Sequence, residues 1–247
     1  GLSRLRIAAQ LHDVLRQIDL HGLLGSLSAR KRTHGKRTFR QMAAQSRTGR
    51  IRTDQRLVEQ LRGQSRSYHG YDNSKEFYAR GHQIPNADRN GSDELVVQTY
   101  YATNSTPQIQ NKFNGGIWQQ LESGVRNITA TTDTVYVVTG AILQTAGNHE
   151  AITWITPKSD SKRCPVPNYY YKALLKVRRD ASNKVTSAMT IGFWMEHREY
   201  SNDSYTNYAT SVAEIERLTG FDFFANLPAD IQAAAEQNSN WNTFASF

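Results

Sequence analysis

The chain has 247 residues, room for one large domain or for a domain with an extension. Apolar residues make up 38% and charged residues 21%, mean hydropathy is −0.64, and apolar runs as short as Val135–Val138 exclude a membrane-spanning helix. The single cysteine, Cys164, excludes a disulfide scaffold and a multi-cysteine zinc site within the chain.

No stretch carries the charged start, apolar middle and small-residue cleavage site of a signal peptide. Charge is unevenly spread. Residues 1–70 hold 15 Lys and Arg against 4 Asp and Glu, a balance of +11, whereas residues 71–247 hold 15 against 18, a balance of −3. Of the 25 aromatic residues only Phe39 and Tyr68 fall in the first 70. A segment so basic and so poor in aromatics can bury little large apolar surface. A boundary near residue 67 follows, with a basic N-terminal segment over 1–67, irregular or helical, and a compact domain over 68–247.

In chain order, Leu11, Leu15 and Ile18 stand at helical spacing and permit a basic amphipathic helix within 5–24. Asp88-Arg89 and Asn90-Gly91 read as a turn. A helix is expected from about Phe113 to Arg126, where Ile117, Leu121 and Val125 recur every four residues. Three runs rich in β-branched and aromatic residues, 134–139, 169–177 and 185–195, read as strands, and 180–184 supplies turn residues between the last two. Ser211-Val212-Ala213-Glu214 is a capping box, with Ile215 and Leu218 following and Gly220 placed to end the helix. The pattern predicts an α+β domain. Trp118 reads as core, and Tyr169-Tyr170-Tyr171 as half core and half surface, although such rings can also stack on bases. His149-Glu150 and Glu196-His197-Arg198-Glu199 read as loop and strand-end charges.

Chemistry concentrates between residues 78 and 126. In Tyr78-Ala79-Arg80-Gly81-His82 a guanidinium stands beside an imidazole: the first can grip a phosphate oxyanion while the neutral second takes a proton from water. Alone, the string also fits a surface turn. A second cluster runs from Asn104-Ser105-Thr106-Pro107-Gln108 through Asn114 and Trp118 to Glu122 and Arg126. On one continuous helix Asn114, Glu122 and Arg126 would lie within about 120° of one another. An amide oxygen, a carboxylate and a guanidinium on one edge can serve a hydrated divalent ion and a phosphate, since Mg²⁺ keeps several waters and takes few protein ligands. The alternative is a helix whose Glu and Arg form a solvent-facing pair.

The two clusters together resemble the DNA/RNA non-specific endonuclease family, whose active site is a ββα-metal (His-Me finger) motif. The likeness extends to Ile191-Gly192-Phe193-Trp194-Met195, to Ser211–Glu216 and to Thr219–Phe224, and so covers about residues 70–230. It implies a mixed or antiparallel central sheet flanked by helices. It also implies His82 as general base, Asn114 as the ligand of Mg²⁺ (or Mn²⁺), and Glu122 as a carboxylate that holds water on the metal. Arg80 and Arg126 become phosphate and nucleic-acid contacts, and Asn104 a supporting group. The implied activity is Mg²⁺-dependent hydrolysis of DNA and RNA with little sequence preference, in an extracellular or periplasmic setting.

Two departures stand out. Ala79 occupies a position where the family commonly has Asp, and residues 1–67 do not resemble the family's upstream strands. Codons compatible with Arg16–Ala29, read one nucleotide later, spell DKSTYTACWVAYPL, a strand-like text such as related nucleases carry there. Residues 1–67 are therefore either an out-of-frame translation, which in the shifted reading could have cost Cys164 a disulfide partner, or a real basic arm that strengthens nucleic-acid binding through counterion release. Without the upstream strands, the alternative function is a catalytically impaired nucleic-acid-binding protein.

Overall fold

The computed structural model describes residues 78–100, 104–129, 134–155 and 164–247. The basic segment 1–67, its amphipathic helix and both readings of its origin lie outside the described residues.

The centre is a four-stranded antiparallel sheet in the order β3-β6-β7-β8, formed by β3 (Tyr136–Ile142), β6 (Tyr169–Arg179), β7 (Val185–Glu196) and β8 (Ala209–Thr210). The expected strands are all present, and every strand pairing among the described residues is antiparallel. The long β6–β7 hairpin closes where the sequence anticipates it. Asp180 Oδ1 accepts from the Ser182 and Lys184 amides at 2.9 and 3.0 Å, and Asn183 takes a left-handed φ of 66° that Asn tolerates well. Two short pairs lie outside this sheet: β1 (Tyr78–His82) with β2 (Ser105–Ile109), and β4 (Thr153–Ile155) with β5 (Cys164–Val166).

Alternation along β6 and β7 sorts the core onto two faces. Tyr170, Leu174, Ile191, Phe193 and Met195 form one cluster with Phe113, Trp118, Leu121 and Val125. The last three come from α2 (Trp118–Ile128), whose burial at 118, 121 and 125 follows the predicted stripe. Between β1 and β2 lies α1 (Asp93–Gln98). On the other face Tyr171 and Ala173 meet Val212 and Ile215 of α3 (Val212–Thr219) and Phe223. Ser211 Oγ accepts from the Glu214 amide at 3.1 Å and Gly220 ends the helix at φ 74°, as the sequence indicates. Two further helices, α4 (Ala229–Ala235) and α5 (Trp241–Ser246), complete the C-terminal part.

One expectation fails. The helix predicted over Phe113–Arg126 is broken: regular α-helix begins at Trp118, and the preceding segment Gln110–Ile117 contains non-helical backbone at Asn111, Lys112, Gly115 and Gly116. Two adjacent glycines lower the cost of leaving helical geometry, and Lys112 sits at a left-handed φ of 61°. Asn114 therefore does not share a helix surface with Glu122 and Arg126.

Candidate active site

The site is built on β1, β2 and α2. β1 and β2 pair antiparallel with Arg80 opposite Pro107 and His82 opposite Ser105, and the chain leaves β2 through segment 110–117 into α2. This is a ββα arrangement. Residues two apart on a strand share a face, so Arg80 and His82 project together. The intervening Gly81 is required by the neighbouring strand: a Cβ there would come within 2.2 Å of the fully buried Gln108 side chain.

His82 is half-buried, with its ring edge-on to Tyr100 at 6.2 Å between centroids. Burial first, and then the Arg80 charge, push its pKa below the ordinary value, partly offset by a hydrogen bond to the Arg80 main chain. The imidazole is thus neutral at pH 7, as a proton acceptor must be. Arg80 itself is exposed.

Asn104, 8% exposed, spends its amide on the chain that follows His82. It accepts from the Ile84 amide at 2.9 Å and donates to the Ile84 and Thr99 carbonyls, both at 3.0 Å. Its main-chain oxygen accepts from the Gln83 amide at 2.9 Å. Asn104 is a clamp rather than a ligand. Asn114 donates through Nδ2 to Gln110 Oε1 at 2.8 Å, which fixes the amide and leaves Oδ1 without a hydrogen-bond partner among the described residues.

Glu122 sits in a charged cluster. Burial raises its pKa to about 7, opposed by Lys172 and Arg126 and reinforced by Asp88. No hydrogen bond to its carboxylate occurs among the described residues. Arg126 pairs with Asp88 at 3.1 Å and donates to Ser123 Oγ at 3.1 Å. This pair ties α2 to the loop that follows His82. Asp88 was assigned to a turn by the sequence, and its short 3-10 helix Asn86–Asp88 agrees; its ionic role had no local signature. Lys172, on β6, had no local signature either, and His197, just beyond β7, is a half-buried imidazole bonded through both ring nitrogens rather than the strand-end charge expected.

The family model of DNA/RNA non-specific endonucleases matches residues 31–230, and so begins inside the segment 1–67 that was expected to lie outside the likeness. The chain belongs to this family. Among its relatives, the mitochondrial nuclease 1 of Schizosaccharomyces pombe is 26% identical over 155 residues, covering 61% of this chain and 47% of that protein. The mitochondrial nuclease of Saccharomyces cerevisiae is 26% identical over 190 residues, covering 72% and 54%. Nuclease C1 of Cunninghamella echinulata is 29% identical over 158 residues, covering 63% and 60%. The chain spans about half the length of the first two. The crystal structure of an EndoG/EndoGI complex, described as showing the mechanism of EndoG inhibition, superposes with a TM-score of 0.51 at 25% identity, covering 62% of each chain. These comparisons correct the expected extracellular or periplasmic setting: both yeast relatives, and a human relative 27% identical over 154 residues, are named as mitochondrial.

Proposed function

We propose that this domain hydrolyses phosphodiester bonds in DNA and RNA with little sequence preference, using His82 as general base and a divalent ion held by Asn114. The observation that carries the reading is a neutral, half-buried imidazole sharing one strand face with an exposed guanidinium inside a ββα unit.

The donor set suits a hard cation. The Asn114 amide is oriented by Gln110 with its oxygen uncommitted among the described residues, and the Glu122 carboxylate, shielded from bulk water, would gain from a positive charge placed beside it. Asn114 would hold the ion directly and Glu122 would hold water beside it. Mg²⁺ or Mn²⁺ bound there would supply stabilisation of the negative charge that builds on the phosphate during cleavage.

The remaining work falls to the chain. His82 removes a proton from a water aimed at phosphorus, opposite the 3′-oxygen. Arg80 contacts the phosphate through charge-assisted hydrogen bonds of about 1.5–3 kcal/mol each, and Arg126 offers the donors not spent on Asp88 and Ser123. Contacts to the backbone of the substrate carry little sequence information, which fits both DNA and RNA.

Plasmid and RNA digestion with Mg²⁺ and with EDTA tests the reading. His82→Ala is expected to lower turnover by about 10²–10⁴-fold while nucleic-acid binding by gel shift persists. Wild-type cleavage rates in that variant remove His82 from the mechanism, and cleavage unaffected by EDTA removes the metal.

A further inference from the structure

Asn114 stands where the chain has little regular structure of its own. The segment Gln110–Ile117 departs from helical geometry at Asn111, Lys112, Gly115 and Gly116, so a regular helical ladder does not fix its course. The Asn114 amide takes its orientation from Gln110, the first residue of the segment, at 2.8 Å. Gly115 makes room for that contact: a Cβ there would come within 2.8 Å of Gln110 Nε2. The direction of the Asn114 side chain therefore depends on how Ile109 delivers Gln110 and on how Phe113 is held.

Both residues are held by the chain just beyond β7, in the run Glu196-His197-Arg198-Glu199 that reads in the sequence as strand-end charge. His197 Nε2 accepts from the Ile109 amide at 2.8 Å. The same ring stands edge-on to the fully buried Phe113 at 4.9 Å between centroids. Glu199 also pairs with Lys112 at 3.4 Å, but both side chains are exposed and the pair adds little. One imidazole thus touches the residue that enters the segment and the residue that precedes Asn114.

The imidazole is itself held on a firm base. Nδ1 donates to the Pro167 carbonyl at 2.8 Å, and the His197 main-chain amide donates to the Asn168 carbonyl at 2.8 Å. Pro167 and Asn168 lead directly into β6 at Tyr169, an inner strand of the central sheet. A ring bonded through both nitrogens, with its tautomer set by those two partners, passes the position of the sheet on to Ile109 in direction as well as distance.

We propose that His197 is a positioning residue of the metal pocket, which sets the entry of segment 110–117 and thereby the direction of the Asn114 amide oxygen. The inference rests on the nuclease reading for the metal, and on the contacts of His197 alone for the turn.

Three substitutions separate the bond to Ile109 from the ring that makes it. His197→Asn keeps a donor for Pro167 but has no acceptor that reaches Ile109, His197→Gln keeps the acceptor, and His197→Met fills the space with neither. Amide hydrogen exchange is measured first, on metal-free protein. His197→Asn is expected to speed exchange over residues 109–116 by about 2–10-fold, the effect of losing one hydrogen bond of ordinary net strength, while the amides of β6 and β7 keep their rates. His197→Gln is expected to match the parent throughout. Mn²⁺ binding is measured second, by electron paramagnetic resonance in His82→Ala protein. Here His197→Asn is expected to weaken affinity by about 10–100-fold, the usual cost of removing a group that orients a ligand, and His197→Gln to retain most of it. His197→Met replaces the asparagine variant if that protein loses its cooperative melt. Unchanged exchange over 109–116 overturns the proposal, as does an unchanged Mn²⁺ affinity or an equal loss in the glutamine variant. Mn²⁺ binding that is indifferent to Asn114→Ala overturns the metal reading instead, and the exchange comparison still decides the role of His197.

Discussion

His197 makes the stability of this domain sensitive to acid. Its Nε2 accepts from the Ile109 amide at 2.8 Å, which requires that Nε2 be unprotonated, so Nδ1 carries the proton and donates to the Pro167 carbonyl at 2.8 Å. The ring is packed against Phe113 and Tyr170 at centroid distances of 4.9 and 5.1 Å. It thereby fastens the end of β2 to the start of β6. A second proton would break the bond to Ile109 and put a charge among aromatic rings, and burial accordingly lowers the pKa from 6.5 to about 4. A depressed folded-state pKa means that the unfolded chain takes up the proton first. The stability is therefore fully present above pH 6.5 and lost as the pH falls toward 4. Linkage sets the loss between pH 7 and pH 5 at about 2 kcal/mol, and at about 3 kcal/mol by pH 4. His197→Gln can keep an acceptor for Ile109 and does not titrate. Urea unfolding of both proteins at pH 4, 5, 6 and 7 isolates the effect, because the carboxylates contribute equally to each. The difference in stability between wild type and variant should shrink by about 3 kcal/mol from pH 7 to pH 4. A constant difference across that range would refute the assignment.

Two other perturbations have expected signs and sizes. Asn104→Ala strips hydrogen bonds from the Ile84 amide and from the Ile84 and Thr99 carbonyls; a loss of about 3 kcal/mol, read as a fall in Tm of about 6–12 °C, is expected, and a Tm within about 2 °C of wild type would show that the clamp is dispensable. Glu236, 6% exposed with Oε1 unpartnered, has a carboxylate oxygen within 4.8 Å of those of Glu216 and Asp222. Burial first raises its pKa, opposed by a hydrogen bond from Gln232 and reinforced by the two neighbouring carboxylates, so its contribution is most favourable at low pH and declines as the pH rises through the folded value. Glu236→Gln, which gains a donor and sheds the charge, should stabilise the fold by about 1 kcal/mol, and more at pH 8 than at pH 5. A Tm that falls at pH 8 would contradict this.

The parts of the fold that were legible in the sequence are those governed by local rules. The β6–β7 hairpin follows from β-branched and aromatic runs around Asp180–Lys184, and α3 from Ser211 and Gly220, because alternation, turn chemistry and capping act over a few residues. The break ahead of Trp118 was missed although Gly115-Gly116 signals it. An apolar residue recurs at 113, 117, 121 and 125, and that period survives a kink when both sides pack on the same core. Arg80 and His82 were found because their chemistry is written in adjacent letters. Asp88 and His197 were not, since each acquires its role from a partner 30 or more positions away: Asp88 from Arg126, and His197 from Ile109 and Pro167.

These distant partners share a logic. The β1–β2 pair makes no strand pairing with the central sheet among the described residues, so its position depends on side chains. Tyr170 on β6 reaches Thr106 Oγ1 at 2.8 Å and the Pro107 carbonyl at 2.9 Å. His197 holds Ile109 from beyond β7, and Arg126 holds Asp88 from α2. All three anchors attach to β2 or to the loop after His82, on either side of the imidazole. Each is polar and directional; Tyr170 and Arg126 sit in β6 and α2, which also supply the core around Phe113 and Trp118, and the His197 ring packs against Phe113 and Tyr170. Such an arrangement fixes direction as well as distance, which a purely apolar contact does less well. Weakening any one of them should therefore shift His82 relative to Asn114 before it unfolds the sheet, so the activity of such variants should fall at temperatures where their circular dichroism is still native.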